Sequence, residues 1–130
     1  QCSIIALPEF NEIDAGRCEG MTYQEIKEQM PLVVAARNRN KYEYVYPMGE
    51  GYITMEQRIH RGLQKVFYLS NLEDNIMIVG HRAVNRMILS YFVFRPHGEV
   101  PYIYMPQDRY YHIQINPYKK IFELLTYTDT

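Results

Sequence analysis

The sequence predicts an α/β fold with a mostly parallel sheet and an antiparallel edge at its C-terminal end. Residues 76–79 form a short run that is apolar on both faces, which is typical of a central parallel strand. A turn at Gly80 and a helical pattern over residues 83–94 follow, completing a strand-to-helix unit. Residues 110–116 and 121–127 then flank a turn at Asn116 and Pro117, which predicts an antiparallel pair.

The composition agrees with one domain, or most of one. The chain has 130 residues, of which 47% are apolar and 14% aromatic, enough to bury a single core. The charged residues make up 22% of the chain, and the basic and acidic ones are nearly equal in number, so the formal net charge is -1. An overall field that would attract nucleic acid is therefore excluded, and any phosphate specificity has to come from a local cluster of cations.

Location and cofactors are constrained only weakly. No stretch has the length and purity of a membrane span, so a membrane partner is not expected. Cys2 and Cys18 lack the spacing of a metal or redox motif, and we expect free thiols in a reducing cytoplasm, with no metal and no cofactor. Because Gln1 is neither an initiator Met nor part of a signal peptide, we expect an excised piece or a processed chain.

The N-terminal segment predicts a buried strand, a loop and a helix. Residues 2–7 are apolar and partly β-branched and end at Pro8, which indicates a short strand running into a loop over residues 9–19. Thr22 with Glu25 three positions later is a capping-box pattern. It predicts a helix over residues 23–30 that stops before the next proline.

The middle of the chain predicts two further helices around an aromatic loop. A short helix is expected over residues 32–37, and residues 41–51 combine three tyrosines with Pro47 and two glycines, which favours an ordered loop. From Tyr52 the apolar residues recur at three- and four-residue steps, so an amphipathic helix should end near Asn71. A glycine inside this helix, Gly62, indicates close packing.

Two predicted strand ends carry residues that suit phosphate chemistry. The loop after the first strand contains Glu12, whose carboxyl group could protonate a leaving oxygen. The turn after the apolar strand places His81 at a helix N-terminus, with Arg82 beside it and Arg86 one turn further on. By residue type alone, Glu12 could equally be a solvated carboxylate, and His81 could be a hydrogen-bonded core residue.

One segment is specific enough to indicate a family. Residues 10–26 read F-N-E-I-D-A-G-R-C-E-G-M-T-Y-Q-E-I. They resemble the N-E-I-D-A-G-x-C-E-x-x-T-Y-x-E-I segment in the bisphosphatase half of the bifunctional 6-phosphofructo-2-kinase/fructose-2,6-bisphosphatases. The similarity continues through Tyr46 to Tyr52, through the G-H-x-A-V-x-R of residues 80–86, and into Pro101 and beyond. It covers nearly the whole chain.

The resemblance implies a fold and an activity. Residues 1–130 would be a partial bisphosphatase domain with the three-layer, phosphoglycerate-mutase-like α/β fold, lacking its N-terminal strand. The family hydrolyses the 2-phosphate of fructose 2,6-bisphosphate through a phosphohistidine and uses no cofactor. By position, Glu12 matches the general acid and His81 matches the histidine that stabilises the transferring phosphoryl group. The matching substrate-binding positions are Tyr23, Arg37, Lys41, Tyr52 and Arg86, the first three at the 6-phosphate.

Three departures from the family pattern affect the substrate site and one helix start. Arg82 replaces a glutamine after the second histidine, and Met48 replaces a lysine before the Gly-Glu pair. One cation is gained and one lost, so the preferred substrate stays open. We count Arg82 among the candidate substrate-binding residues. Gly51 replaces a serine, which should weaken the cap of the following helix by only about a few tenths of a kcal/mol.

The family's nucleophile belongs to an R-H-G-E motif that has no match in these residues. We expect it upstream of Gln1, where an attached kinase domain would also lie, and we expect the 130 residues alone to be inactive. The R-P-H-G-E at residues 95–99 is a poor substitute because Pro96 separates Arg95 from His97, and a surface loop is the better interpretation. A missing central strand would leave exposed edges beside residues 76–79, favouring aggregation, a swapped homodimer or a compensating contact.

Two alternative functions stay open. The domain could keep its phosphate pocket without catalysis, as a sugar-phosphate sensor or a protein-interaction domain. It could also be a phosphatase for another phosphomonoester, as the residues at positions 48 and 82 suggest. A nucleic-acid partner is not expected, because no basic stripe accompanies the many tyrosines.

Overall fold

The structure is a computed structural model that describes residues 2–71, 75–115 and 120–126, with only the backbone at 120–122 and 126. Helices dominate these residues. The four α-helices are α1 (Tyr23–Gln29), α2 (Pro31–Arg39), α3 (Tyr52–Leu69) and α4 (Arg82–Phe92). Three short 3-10 helices span Pro8–Phe10, Gly16–Cys18 and His97–Tyr102, and the two strands are β1 (Arg109–Ile115) and β2 (Lys120–Thr126).

The predicted capping box at the start of α1 is confirmed. The backbone N–H of Glu25 donates to the hydroxyl oxygen of Thr22 at 3.1 Å, and the N–H of Thr22 donates to the Glu25 carboxylate at 3.3 Å. The predicted stop before Pro31 is also confirmed. Pro31 then begins α2, where its missing N–H leaves no helical hydrogen bond unmade. This second helix extends through Arg39, two residues past its predicted end.

The core lies where α3 meets α4. The buried stripe of α3 packs against α4 and against the turn Pro8–Phe10, and α4 also contacts His97–Tyr102. Gly62 is packed as closely as predicted, since a Cβ there would overlap the ring of Phe10. The buried core residues are Tyr42, Tyr52, Met55, Ile59, Leu63, Ala83, Val84, Met87, Ile88 and Val100.

The predicted antiparallel pairing of the two C-terminal strands is confirmed. Strands β1 and β2 pair in a register that opposes Arg109 to Thr126 and Ile115 to Lys120. The predicted turn at Asn116 and Pro117 lies outside the described residues. The predicted helices over residues 52–71 and 83–94 are present as α3 and α4, with ends that differ by one or two residues.

The predicted parallel strands are not found as strands. Residues 2–7 and 75–80 have no assigned secondary structure, and the pair β1–β2 is the only sheet in the described part of the chain. The physical reason is that a strand exists only when a neighbouring backbone completes its hydrogen bonds. Ile4 is 96% exposed and Val79 is 85% exposed, in keeping with the exposed edge expected beside residues 76–79.

Two further features bear on the chain's environment. Across residues 2–71, 75–115 and 120–126, no helix combines the length and apolar character needed to cross a membrane. Both cysteines are free thiols: Cys2 is exposed, whereas Cys18 is buried with its Sγ 3.9 Å from the sulfur of Met30.

Candidate functional site

The carboxylate of Glu12 lies against the N-terminal end of α4. Its Oε2 accepts a hydrogen bond from the backbone N–H of Ala83 at 3.3 Å, and its Oε1 accepts from Val84 at 3.3 Å and from Ile13 at 2.9 Å. The first N–H groups of a helix have no partner within the helix, so they attract an anionic oxygen. The segment that carries Glu12 is thereby joined to a helix that begins 70 residues later along the chain.

His81 is the N-cap residue of the same helix. Its carbonyl oxygen accepts from the N–H of Asn85 at 2.9 Å, and its side chain is exposed. The side chain of Asn85 donates to the carbonyl of Gly80 at 2.9 Å, which fixes the turn that leads into the helix. The structure therefore brings Glu12 to the helix end whose cap is His81. Asn85 was not singled out from the sequence.

Tyr52 and Arg86 form a second, adjoining part of the site. Arg86 donates through a terminal nitrogen to the hydroxyl of Tyr52 at 3.3 Å and through Nε to the carbonyl of Ile103 at 2.9 Å. Burial raises the pKa of the Tyr52 hydroxyl, Arg86 and Arg37 act against this shift, and Glu12 adds to it. Tyr52 therefore interacts electrostatically with both the acidic and the basic residues of the predicted site.

Lys41 joins the same group of cations. Burial lowers the pKa of its ammonium group, and repulsion from Arg37 and Arg86 lowers it further. Its Nζ lies 4.9 Å from the centre of the Tyr102 ring, a cation–π distance. The family resemblance extends to Tyr102, but nothing in the spacing of the sequence indicates that Lys41 and Tyr102 are in contact.

The remaining predicted residues, Tyr23 and Arg82, begin α1 and α4 and have exposed side chains. Among the residues that the structure describes, no hydrogen bond or ion pair involves either side chain. The geometry therefore groups Glu12 with the cap at His81, and groups Tyr52 with the cations at positions 37, 41 and 86. Within the described ranges, no hydrogen bond or ion pair joins the Tyr23 side chain to these groups.

Arg58 is a site residue that sequence reasoning missed. From α3, its guanidinium donates to the carbonyls of Glu9 at 2.8 Å, Asn11 at 2.7 Å and Glu12 at 3.3 Å. It also binds both carboxylate oxygens of Glu50, at 2.8 and 2.9 Å, and this hydrogen bonding lowers the pKa of Glu50. By pattern, Arg58 is only a polar residue on an amphipathic helix, so its contacts could not be predicted.

The loop that carries Glu12 (residues 9–19) also crosses the aromatic loop (residues 41–51), and their backbones are in direct contact. The N–H of Arg17 donates to the carbonyl of Pro47 at 2.9 Å, and the N–H of Glu50 donates to that of Asp14 at 2.7 Å. At the crossing, a Cβ on Gly16 would lie 2.6 Å from the nitrogen of Gly49, and the reverse distance is also 2.6 Å. Only glycine allows this approach, and Gly16 in addition has a φ of +55°.

His97 has an exposed side chain, as expected for a surface residue. Its ring stacks on Tyr42 with 4.7 Å between the ring centres, and its Nε2 lies 3.9 Å from a carboxylate oxygen of Glu56. The hydroxyl of Tyr42 donates to the same carboxylate at 2.5 Å, and burial followed by this hydrogen bond raises the pKa of Tyr42. In the described ranges, no three His, Cys, Asp or Glu side chains are grouped to hold a metal.

Comparison with known sequences gives consistent results. Residues 1–129 match the profile of the Histidine phosphatase superfamily (branch 1). Over 97 residues the chain is 43% identical to 6-phosphofructo-2-kinase/fructose-2,6-bisphosphatase 4 of Rattus norvegicus. It is also 43% identical, over 97 residues, to 6-phosphofructo-2-kinase/fructose-2,6-bisphosphatase 1 of Homo sapiens. In each case the match covers 75% of this chain and 20% of the relative, so the chain spans about a fifth of the length of these relatives.

Comparison with solved structures supports the same fold. The alpha-ribazole phosphatase of Shigella flexneri superposes with a TM-score of 0.79 at 21% identity, over 97% of this chain and 62% of that one. An Escherichia coli structure superposes with a TM-score of 0.81 at 20% identity, with the same coverage. The chain has the histidine phosphatase fold, although the described residues are mostly helical with one small antiparallel sheet. From the profile match and the sequence relatives together, the chain belongs to the histidine phosphatase superfamily, branch 1.

Proposed function

We propose that the protein hydrolyses the 2-phosphate of fructose 2,6-bisphosphate, giving fructose 6-phosphate and phosphate through a phosphohistidine intermediate. The observation that carries the proposal is the position of the Glu12 carboxylate on the N-terminus of α4, beside Tyr52 and its cations. The 43% identity to relatives named for this bisphosphatase supports the choice of substrate.

Glu12 is the proton donor and acceptor in this proposal. As an acid it protonates the C2 oxygen when the phosphoryl group leaves, and as a base it then takes a proton from the water that attacks the phosphohistidine. His81 and Arg82 stabilise the charge of the transferring phosphoryl group, because phosphoryl transfer depends mostly on positioning and on neutralised charge. His81 caps α4 and Arg82 is its first residue, so both lie next to the amides that hold Glu12.

The cations around Tyr52 bind the second phosphate. Arg37 and Arg86 are both close enough to Lys41 to add to the lowering of its pKa that burial causes. In the described ranges no carboxylate forms an ion pair with any of the three, so their charge is available to an anion. The hydroxyls of Tyr52 and Tyr23 are the additional contacts that the family resemblance supplies.

The nucleophile and the partners belong to the complete protein. We infer that a histidine outside the 130 residues accepts the phosphoryl group, and that the 130 residues alone therefore bind but do not turn over. An attached kinase domain, a homodimer and a cytoplasmic location are part of the same proposal. They rest on the resemblance to the bifunctional enzymes.

The direct test is phosphate release from fructose 2,6-bisphosphate by the protein expressed from its complete gene. Lys41→Met should raise KM about 10-fold or more, because a charge-assisted hydrogen bond is worth about 1.5–3 kcal/mol. Lys65→Met is the matched control, since Lys65 is an exposed lysine that pairs with Glu9 instead of a site residue. Equal effects of the two variants would contradict the assignment of Lys41.

A second candidate is a phosphatase for a different phosphomonoester. Met48 is 80% exposed at a position where the family has a lysine, and the family glutamine after His81 is Arg82 here. A loss of charge at one place and a gain at another changes which anion binds best. In a panel of sugar phosphates, release from another monoester with none from fructose 2,6-bisphosphate would favour this candidate. A folded protein that binds these esters and releases no phosphate would instead favour a sensor.

A further inference from the structure

We propose that Arg58 is the positioning residue for Glu12, and that it controls how well Glu12 delivers its proton to the leaving group. The inference rests on the proposed function, in which Glu12 is the general acid. It assigns to Arg58 a role beyond helix stability.

The guanidinium of Arg58 binds the backbone on which Glu12 stands. Its terminal nitrogens donate to the carbonyls of Glu9, Asn11 and Glu12 at 2.8, 2.7 and 3.3 Å. Three carbonyls within four residues are thus bound to one planar group. An arginine presents five donors in a fixed fork, so it defines the relative positions of these oxygens in a way that a lysine ammonium does not.

Glu50 completes the arrangement on the other side of Glu12. Its carboxylate accepts from Nε and a terminal nitrogen of Arg58 at 2.8 and 2.9 Å, and also from the backbone N–H of Asp14 at 3.1 Å. The backbone is therefore held both before and after Ile13. The side chains of Arg58 and Glu50 are only 16% and 25% exposed, so water screens this pair poorly.

The support for Arg58 is rigid. It lies on α3 beside Ile59, whose side chain is fully buried, and one turn after Met55, which is also fully buried. A residue on a packed helix can hold a loop more exactly in place than the loop holds itself. Since a displacement of about 1 Å can reduce a rate about 100-fold, fixing the backbone of an acid has a kinetic effect.

The proposal predicts a dependence on the leaving group. A leaving oxygen that is strongly basic needs the proton from Glu12, whereas nitrophenolate leaves readily without it. The value of kcat/KM covers the steps up to the first phosphoryl transfer, so it reports this requirement and excludes the later hydrolysis. A change that only weakens folding or phosphate binding would lower kcat/KM for both kinds of ester equally.

The experiment compares phenyl phosphate with 4-nitrophenyl phosphate, using the protein expressed from its complete gene. Arg58→Lys keeps the charge opposite Glu50 but loses the fork. It should lower kcat/KM for phenyl phosphate about 10- to 100-fold and for 4-nitrophenyl phosphate less than about 3-fold. Lys65→Met removes a different contact between α3 and the same loop, to the side chain of Glu9, and should change neither. In Glu12→Gln protein, adding Arg58→Lys should cause no further loss.

The outcomes separate this inference from the proposed function. No hydrolysis of either ester, or of fructose 2,6-bisphosphate, by the folded wild-type protein contradicts the proposed function. Suppose instead that the wild type is active. If Arg58→Lys then lowers kcat/KM equally for both esters, or lowers it further in Glu12→Gln protein, only the role of Arg58 is overturned. If Arg58→Lys does not fold, Glu50→Gln is judged by the same criteria, because it removes the charge that holds the guanidinium.

Discussion

At the scale of single residues, Gly51 shows how a local rule can be overridden by a neighbour. By sequence it is a slightly weakened cap of α3. In the structure the hydroxyl of Thr54 accepts from the N–H of Gly51 at 2.9 Å and donates to its carbonyl at 3.1 Å. The space that a Cβ would need is occupied by the carbonyl of Tyr44. A side chain at position 51 would therefore meet backbone before it could act as a cap.

Gly51→Ser tests this conclusion. From capping preference alone, Gly51→Ser should raise the free energy of unfolding by about a few tenths of a kcal/mol. The overlap with Tyr44 should instead reduce it by about 1–3 kcal/mol. Urea unfolding of the complete protein measures the difference. Gly98→Ala is the control, because nothing lies within 4 Å of a Cβ there. Stabilisation by Gly51→Ser would show that the aromatic loop moves aside.

The ion pair of Glu50 and Arg58 predicts a pH dependence of stability. Hydrogen bonding to Arg58 lowers the pKa of Glu50 in the folded state below its ordinary value of 4.5. The unfolded chain then binds more protons as the pH falls, so this contribution to stability is complete above that value and is lost below it. Glu50→Gln should reduce the loss of stability between about pH 6 and about pH 3.

Urea midpoints at several pH values within that range provide the measurement. Glu43→Gln is a suitable control, since Glu43 is an exposed carboxylate whose side chain forms no hydrogen bond or ion pair in the described ranges. Parallel pH profiles of wild type and Glu50→Gln would contradict the prediction.

At the scale of elements, the sequence was sufficient wherever the determining contacts are local. The cap of α1 lies within four residues, Pro31 marks a helix boundary, and the apolar stripe of α3 lies within one helix. The strands predicted at residues 2–7 and 75–80 differ, because a strand depends on a partner that its own residues do not encode. The paired strands β1 and β2 were predictable since they are neighbours in the chain.

Thr22→Ala measures how much the capping box of α1 contributes to the free energy of unfolding. Loss of the cap should lower the free energy of unfolding by about 1 kcal/mol and loosen the first turn of α1. Hydrogen exchange of the Glu25 amide, whose acceptor would be gone, reports this directly. Gln24→Ala, which removes an exposed hydrogen bond to Glu28, should have an effect of about 0.5 kcal/mol at most. Equal exchange rates in both variants would contradict the role of Thr22.

At the scale of the whole molecule, the site is assembled from distant parts of the chain. That Glu12 and the α4 N-terminus come together was predictable, because both follow predicted strands and strand ends converge in an α/β fold. The contacts of Arg58 with the carbonyls of residues 9–12, and of Lys41 with Tyr102, were not, because each joins segments more than 40 residues apart without a pattern that marks the pairing. Tertiary contacts of this kind are visible only in coordinates.

The exposed apolar segments predict self-association of the 130-residue chain. Val79 is 85% exposed in a segment without assigned secondary structure, whose backbone another chain could pair with. Val79→Lys should weaken association in sedimentation velocity, since a charge blocks edge pairing. Tyr68→Lys, at an 89% exposed site on helix α3, should leave it unchanged. An equal reduction by both would indicate general surface stickiness.

The crossing of Gly16 and Gly49 has a consequence for how this protein can diverge. Each position excludes a side chain because the other loop's backbone is already there. A lineage that gains a methyl group at one of them must therefore rebuild both loops in the same step. Homologous sequences should accordingly retain the two glycines together or lose them together, and a single replacement should be rare.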